Sequence, residues 1–435
     1  MIRTRIGIRS CRRWLPATAV LIWVGSRSAS GAALSLADAI ALAERQGYDA
    51  LAAEQLVRSA EADLGAAKRI ANPAFSGSYL YSTDVSIGPG ETTTASGYAL
   101  GLSDQGAVDG LVTGKRHLRV RQAEASLGSA RHTSEDALRQ LRVQVAQAFY
   151  SLLAAESAEQ VAREVAGSFG RALELVQTRF RYGAVAEGDV ARIETAKLEA
   201  DQTVTSSAAQ VGQARESLAL LLAVDADTLE VTGSLEGQPP AWLAGARRDQ
   251  LLADAASLRP DVLAARASLE SAEAGLSLAR RQRLPDVSLS AGYTREGPEV
   301  APVTPPTISA GASFELPVFH QRQAEIAKAE SERVSARIAL DRTMARARAE
   351  VSSAWAAYQA ARELVLRMQG SLLERARRSR ELVEYQYRAG AVSLLDLLDA
   401  ERTLLVVELE YRQDLGQYRT SAAQLAAAVG RREMP

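Results

Sequence analysis

Arg378–Glu401 reads RSRELVEYQYRAGAVSLLDLLDAE, and 207 positions earlier Arg171–Glu194 reads RALELVQTRFRYGAVAEGDVARIE. The two stretches share Arg171/Arg378, Glu174/Glu381, Leu175/Leu382, Val176/Val383, Arg181/Arg388, Gly183/Gly390, Ala184/Ala391, Val185/Val392, Asp189/Asp396 and Glu194/Glu401. This is an internal duplication. Each copy reads as helix, tight turn, helix, with Gly183 and Gly390 placed where a helix C-terminus needs a left-handed residue. Ser393 with Asp396 three residues on predicts a capping box, whereas Ala186 predicts a weaker cap in the first copy.

The repeat extends upstream. Ser59-Ala60-Glu61-Ala62 recurs as Ser271-Ala272-Glu273-Ala274, Lys68-Arg69 as Arg280-Arg281, and Pro73 as Pro285, at an offset of 212. Gln122-Ala123-Glu124 then pairs with Lys328-Ala329-Glu330 at an offset of 206. The halves therefore differ by a small insertion between Pro73 and Lys115. No proline lies between Pro89 and Pro239, or between Pro317 and Pro435, so each half has room for two very long helices joined at a duplicated turn. Residues 115 to about 182 predict one helix of roughly 100 Å. Leu138, Leu141, Val145, Ala148 and Leu152 mark its apolar face at three and four spacing. Scarce aromatics and abundant alanine suit coiled-coil hairpins better than a thick globular core.

Between Pro73 and Lys115 the period changes to two. Phe75, Gly77, Tyr79 and Tyr81 alternate with Ser76, Ser78, Leu80 and Ser82, and Val287, Leu289, Ala291 and Tyr293 alternate with Ser288, Ser290, Gly292 and Thr294. Return strands follow, giving strand pairs at 74–84 with 95–104 and 286–295 with 307–316. Polar loops at 85–96 and 296–306 separate the members of each pair. Such lengths match tilted strands crossing a bilayer, and the small polar face suits a water-filled lumen. A soluble hairpin pair is the alternative. Four strands are too few to close a membrane barrel, so several chains are expected to pool them.

Residues 1–33 read as a signal peptide: Arg3, Arg5, Arg9, Arg12 and Arg13, a short apolar core from Trp14 to Gly25, then small residues. Cys11, the only cysteine, is expected to leave with it. Six of the 51 basic residues precede the first acid, Asp38, leaving 45 against 52 acidic ones, a mature net charge of about −7. That disfavours nucleic acid as a partner. His117, His132 and His320 are scattered, with no metal-ligand spacing and no phosphate-cradling glycine pattern, so no catalysis, metal site or cofactor is expected.

In this order, Arg259-Pro260-Asp261-Val262, Leu284-Pro285, Phe314-Glu315-Leu316-Pro317-Val318-Phe319 and Tyr387 through Glu401 resemble the TolC family of outer-membrane efflux and secretion channels, over essentially the whole mature chain. The resemblance implies an α+β membrane protein. Its homotrimer would pool four transmembrane β-strands per protomer into a 12-stranded β-barrel in outer-membrane lipid, and continue its helices as a periplasmic α-barrel. The domains expected are a first repeat, 34–236, with its tip at 183–189, a linker, 237–248, and a second repeat, 249–435, with its tip at 390–396.

The resemblance further implies that Gly183, Ala184, Val185, Gly390, Ala391, Val392 and Ser393 meet a periplasmic adaptor and an inner-membrane pump of the RND or ABC type. Gln321 to Glu330 after Leu-Pro-Val-Phe resembles the branch that partners heavy-metal RND exporters, although His320 stands where that branch usually has Asp. Glu187, Asp189, Asp396 and Asp399 would line a cation-favouring constriction; alternatively Asp189 and Asp396 only stabilise helix N-termini. Type I secretion, drug efflux and a pore-free coiled-coil adaptor are the competing functions.

Overall fold

The computed structural model describes residues 33–88, 91–104, 106, 110, 113–237, 240–296, 305–315 and 317–434. The expected signal, apart from Ala33, lies outside the described residues, as do residues 297–304 of the second polar loop and Leu316.

The first half opens with α1, Leu36–Gln46, and α2, Tyr48–Lys68. Gly47 separates them at φ −60°, ψ 139°. β1, Ala74–Gly88, and β2, Glu91–Ser103, follow. They lead into α3, Lys115–Arg181, and α4, Glu187–Leu222. A short connector contains α5, Ala241–Ala244, and α6, Arg248–Leu258. The second half runs through α7, Pro260–Arg281, β3, Val287–Glu296, and β4, Thr307–Phe314. It ends with α8, Gln323–Arg367, α9, Leu373–Arg388, and α10, Leu394–Val429.

α3 is 67 residues without a break. Of the predicted stripe, Leu141, Val145 and Leu152 are buried and Leu138 and Ala148 half-buried, so the three-and-four spacing fixes which face meets the bundle. Laterally the helices run α4, α3, α10, then α8 with α9. Gly416 lets α10 approach α3: a Cβ there would stand 2.9 Å from that of Ala154.

The partner of α3 in the second half is not one α-helix. Met368–Leu372 forms a π turn between α8 and α9, with Gln369 Nε2 donating to Tyr411 Oη at 2.9 Å. The repeat offset steps from 206 at Gln122 to 207 at the tips, one extra residue in this long helix. A π turn absorbs one inserted residue without breaking the helix, so the faces on either side stay in register.

The strands form one antiparallel sheet in the order β1-β2-β3-β4. The rows Gly77–Leu100–Tyr293–Ile308 and Ser76–Gly101–Gly292–Ser309 lie on opposite faces, one apolar and one small and polar, as period two requires. Side-chain volume matters on the polar face: a Cβ at Gly101 would meet Ser76 Oγ at 2.5 Å. The first pair is longer than 74–84 with 95–104. Most of the expected loop at 85–96 is strand, carried through register shifts after Ser82 and Ser86. Thr92-Thr93-Thr94 read as loop beside Gly and Pro, but β-branched residues favour extended backbone. The second pair spans 287–296 with 307–314 rather than 286–295 with 307–316.

Part of the expected linker at 237–248 is packed. Leu243 is buried and Trp242 lies against the main core, with the Arg431 guanidinium 4.8 Å from the Trp242 ring centroid. Leu34 bridges in parallel to Val231, tying the start of the first half to its end.

Candidate functional site

Both hairpins close in the same way. Gly183 and Gly390 take φ of 72° and 76°. Gly183 N–H donates to Phe180 O at 2.8 Å and Ala184 N–H to Arg179 O at 2.9 Å; Gly390 donates to Tyr387 O at 3.0 Å and Ala391 to Gln386 O at 2.9 Å. These paired bonds satisfy the last helical carbonyls. The departing helices differ as the sequence predicts. Asp396 Oδ2 accepts from Ser393 N–H at 2.9 Å and Oγ at 2.7 Å, which holds its carboxyl below the usual range. Ala186 offers no side-chain cap.

The structure gathers the two tips at one end. Val185 and Val392 are half-buried in an apolar cluster with Val176, Ile193, Tyr387 and Leu397. Gly183, Ala184, Gly390, Ala391 and Ser393 are exposed. Glu187, Asp396 and Asp399 face solvent too, while Asp189 is half-buried with Arg192 Nη1 at 3.4 Å.

Arg179, which sequence reasoning passed over, joins the hairpins. Its Nη2 donates to Tyr387 O at 3.2 Å and Arg388 O at 3.1 Å, the final carbonyls of α9, and its guanidinium lies 4.8 Å from the Tyr387 ring centroid. Burial pushes the Tyr387 phenol up. The only signal was a difference between the copies, since Gln386 replaces Arg179 at the offset of 207. Further from the tips, Arg380 binds Glu401 at 2.8 Å, Glu384 at 2.8 Å and Ser168 Oγ at 3.2 Å. Burial of Glu401 raises its carboxyl pKa despite Arg380.

At the other end the sheet lies uncovered. Tyr79 and Leu80 point to opposite faces, yet each is 69% exposed, so among the described residues no second layer covers either face there. β1 and β4 are its edges. The helical layer ends similarly. Leu198 and Leu220 on α4, and Leu366, Leu382 and Tyr385 on α8 and α9, are exposed large apolar side chains.

Residues 39–224 and 251–431 match the family described as outer membrane efflux protein. The cobalt-zinc-cadmium resistance protein CzcC of Cupriavidus metallidurans is 26% identical over 328 residues, 73% of this chain and 74% of that protein. The pyoverdine export outer membrane protein OpmQ of Pseudomonas aeruginosa is 26% identical over 351 residues, covering 77% and 68%. The crystal structure of the Campylobacter jejuni CmeC outer membrane channel superposes with a TM-score of 0.75 at 22% identity, over 91% of this chain and 85% of that one. The open sheet, the long hairpins and the match over both halves make the chain a member of the outer membrane efflux protein family.

Proposed function

We propose that three copies of this chain assemble into a passive outer-membrane conduit of a tripartite efflux system. The observation that carries the reading is that sheet and helical layer both end in open edges, first-half elements on one side and second-half elements on the other. Unpaired strand edges are too costly in lipid, so β4 of one copy pairs with β1 of the next, and twelve strands close a barrel. α4 of one copy then meets α8 and α9 of its neighbour, which covers the exposed leucines. The duplication supplies six similar units for one ring. The two repeats, 34–236 and 249–435, with 237–248 between them, each contribute one strand pair and one hairpin.

Gly183, Ala184, Val185, Gly390, Ala391, Val392 and Ser393 present the surface for a periplasmic adaptor carrying an inner-membrane RND or ABC pump. Glu187, Asp189, Asp396 and Asp399 ring the mouth and favour cations there. Neutralising Asp189 and Asp396 together as Asn is expected to lower cation over anion permeability in planar bilayers several-fold. Unchanged selectivity would confine both residues to helix capping.

The cargo is heavy-metal cations, a reading supported by the CzcC relative and by residues 314–330. Deleting the gene and restoring it should produce and cure sensitivity to zinc, cobalt and cadmium. Sensitivity confined to organic compounds would instead favour the second reading, export of molecules such as the siderophore named for OpmQ, through the same tunnel.

A further inference from the structure

Four helix ends converge where the sheet begins. α2 and α7 arrive with their C-termini, and α3 and α8 leave from their N-termini. Cations are favoured at a helix C-terminus and disfavoured at an N-terminus. Lys68, Arg280 and Arg281 thus have a local reason to be where they are. Arg116 donates through Nη2 to Lys68 O at the end of α2, but Arg119 has no such reason, because α3 has no acid in its first turn. Nor has Arg322, which starts α8 at φ 57°.

Nearby acids only partly offset these charges: Asp104, Asp286 and Glu315 stand in one cleft with Arg69, Arg116, Arg119 and Arg322. Asp286 holds Lys115, Glu124 lies 3.4 Å from Lys68, and Glu325 faces His320 at 3.7 Å. Arg69, Arg119, Arg280 and Arg281 are exposed, with no carboxylate in ion-pair reach among the described residues. Arg69, Arg116, Arg119 and Arg322 line one cleft of about 810 Å³ beside Phe314. In it Arg116 Nε is buried without an acceptor among the described residues, while its Nη2 is held by Lys68 O. Exposed apolar side chains stand at the same level: Ile70, Leu284, Val318, and Phe319 at 97% exposure.

A cationic collar next to an apolar belt, at the level where lipid-facing strands begin, is the profile of a headgroup boundary. We propose that this collar binds the phosphodiester headgroups of anionic phospholipid in the periplasmic leaflet of the outer membrane, with Phe319 and its neighbours at the acyl boundary. The inference rests on the barrel reading above. Because Lys68-Arg69 recurs as Arg280-Arg281, each copy offers the basic pair twice.

The full chain would be reconstituted in vesicles of equal phosphatidylglycerol and phosphatidylethanolamine, extracted mildly, and its retained lipid quantified by mass spectrometry. Phosphatidylglycerol is expected in excess, with about fivefold in preference from each exposed arginine at low salt, fading as ionic strength rises. R69Q/R119Q/R280Q/R281Q should retain the bulk ratio, while the corresponding four-lysine variant keeps the excess, which separates charge from folding. The bulk ratio on the unaltered protein, or an undiminished excess on the glutamine variant, would overturn the collar. Inorganic phosphate displacing the lipid beyond chloride of equal ionic strength would reassign the cleft to free phosphate. Failure of the unaltered protein to insert would overturn the barrel reading itself.

Discussion

Replacing Arg259 with Met is expected to destabilise the protein by about 3–5 kcal/mol, the cost of removing one partner from a buried ion pair. Arg259 is 1% exposed. It binds Asp261 through Nε at 3.0 Å and Nη2 at 2.6 Å, Glu350 at 2.7 Å, and donates through Nη1 to Ala428 O at 3.0 Å. One guanidinium thereby joins the start of α7, the middle of α8 and the end of α10. Burial of Asp261 and Glu350 alone would raise their pKa values, but hydrogen bonds and charge from Arg259, with Arg346 on Glu350, hold both below the ordinary 3.8 and 4.5.

Their contribution is therefore complete above those values and is lost as pH falls below about 4, where the unfolded chain takes up protons first. In the Met variant the carboxylates face each other without that cation, and protonation relieves them. Thermal melting of the unaltered protein and the variant should differ most near pH 7 and converge in acid. A melting difference independent of pH would contradict the ion-pair account.

Gly430→Ala should cost about 2–4 kcal/mol, from left-handed backbone strain of about 1–2 kcal/mol and overpacking of about 1–3 kcal/mol. Gly430 ends α10 at φ 88°. A Cβ there would lie 3.0 Å from the carbonyl carbon of Leu258 and 3.1 Å from Arg259 N, both main-chain atoms that cannot swing aside. Gly183 and Gly390 have similar φ but open space around them, so Ala at either should cost only the strain. Equal melting shifts for Gly430→Ala and Gly390→Ala would contradict the packing term.

The difference between these glycines marks how far the sequence could be read. Turn chemistry at Gly183, Gly390 and Ser393 is local, and the period of the apolar residues is local, so tips, long helices and strands were legible. Thr92 to Thr94 misled because loop and strand signals overlap there. The π turn at Met368–Leu372 was visible only as a one-residue step in the repeat offset. Arg259 belonged to a recognisable motif, yet its role depends on Glu350 and Ala428, distant in sequence. Arg179 was illegible for the same reason, since its acceptors lie on the other hairpin.

The open edges of sheet and helices make assembly the central claim, and the most direct test is the mass of the protein particle in mild detergent, by sedimentation with detergent contribution removed. Three chains per particle is the predicted result. A particle of one chain would contradict it, because the sheet of β1 to β4 would then stand in the membrane with both edges unpaired.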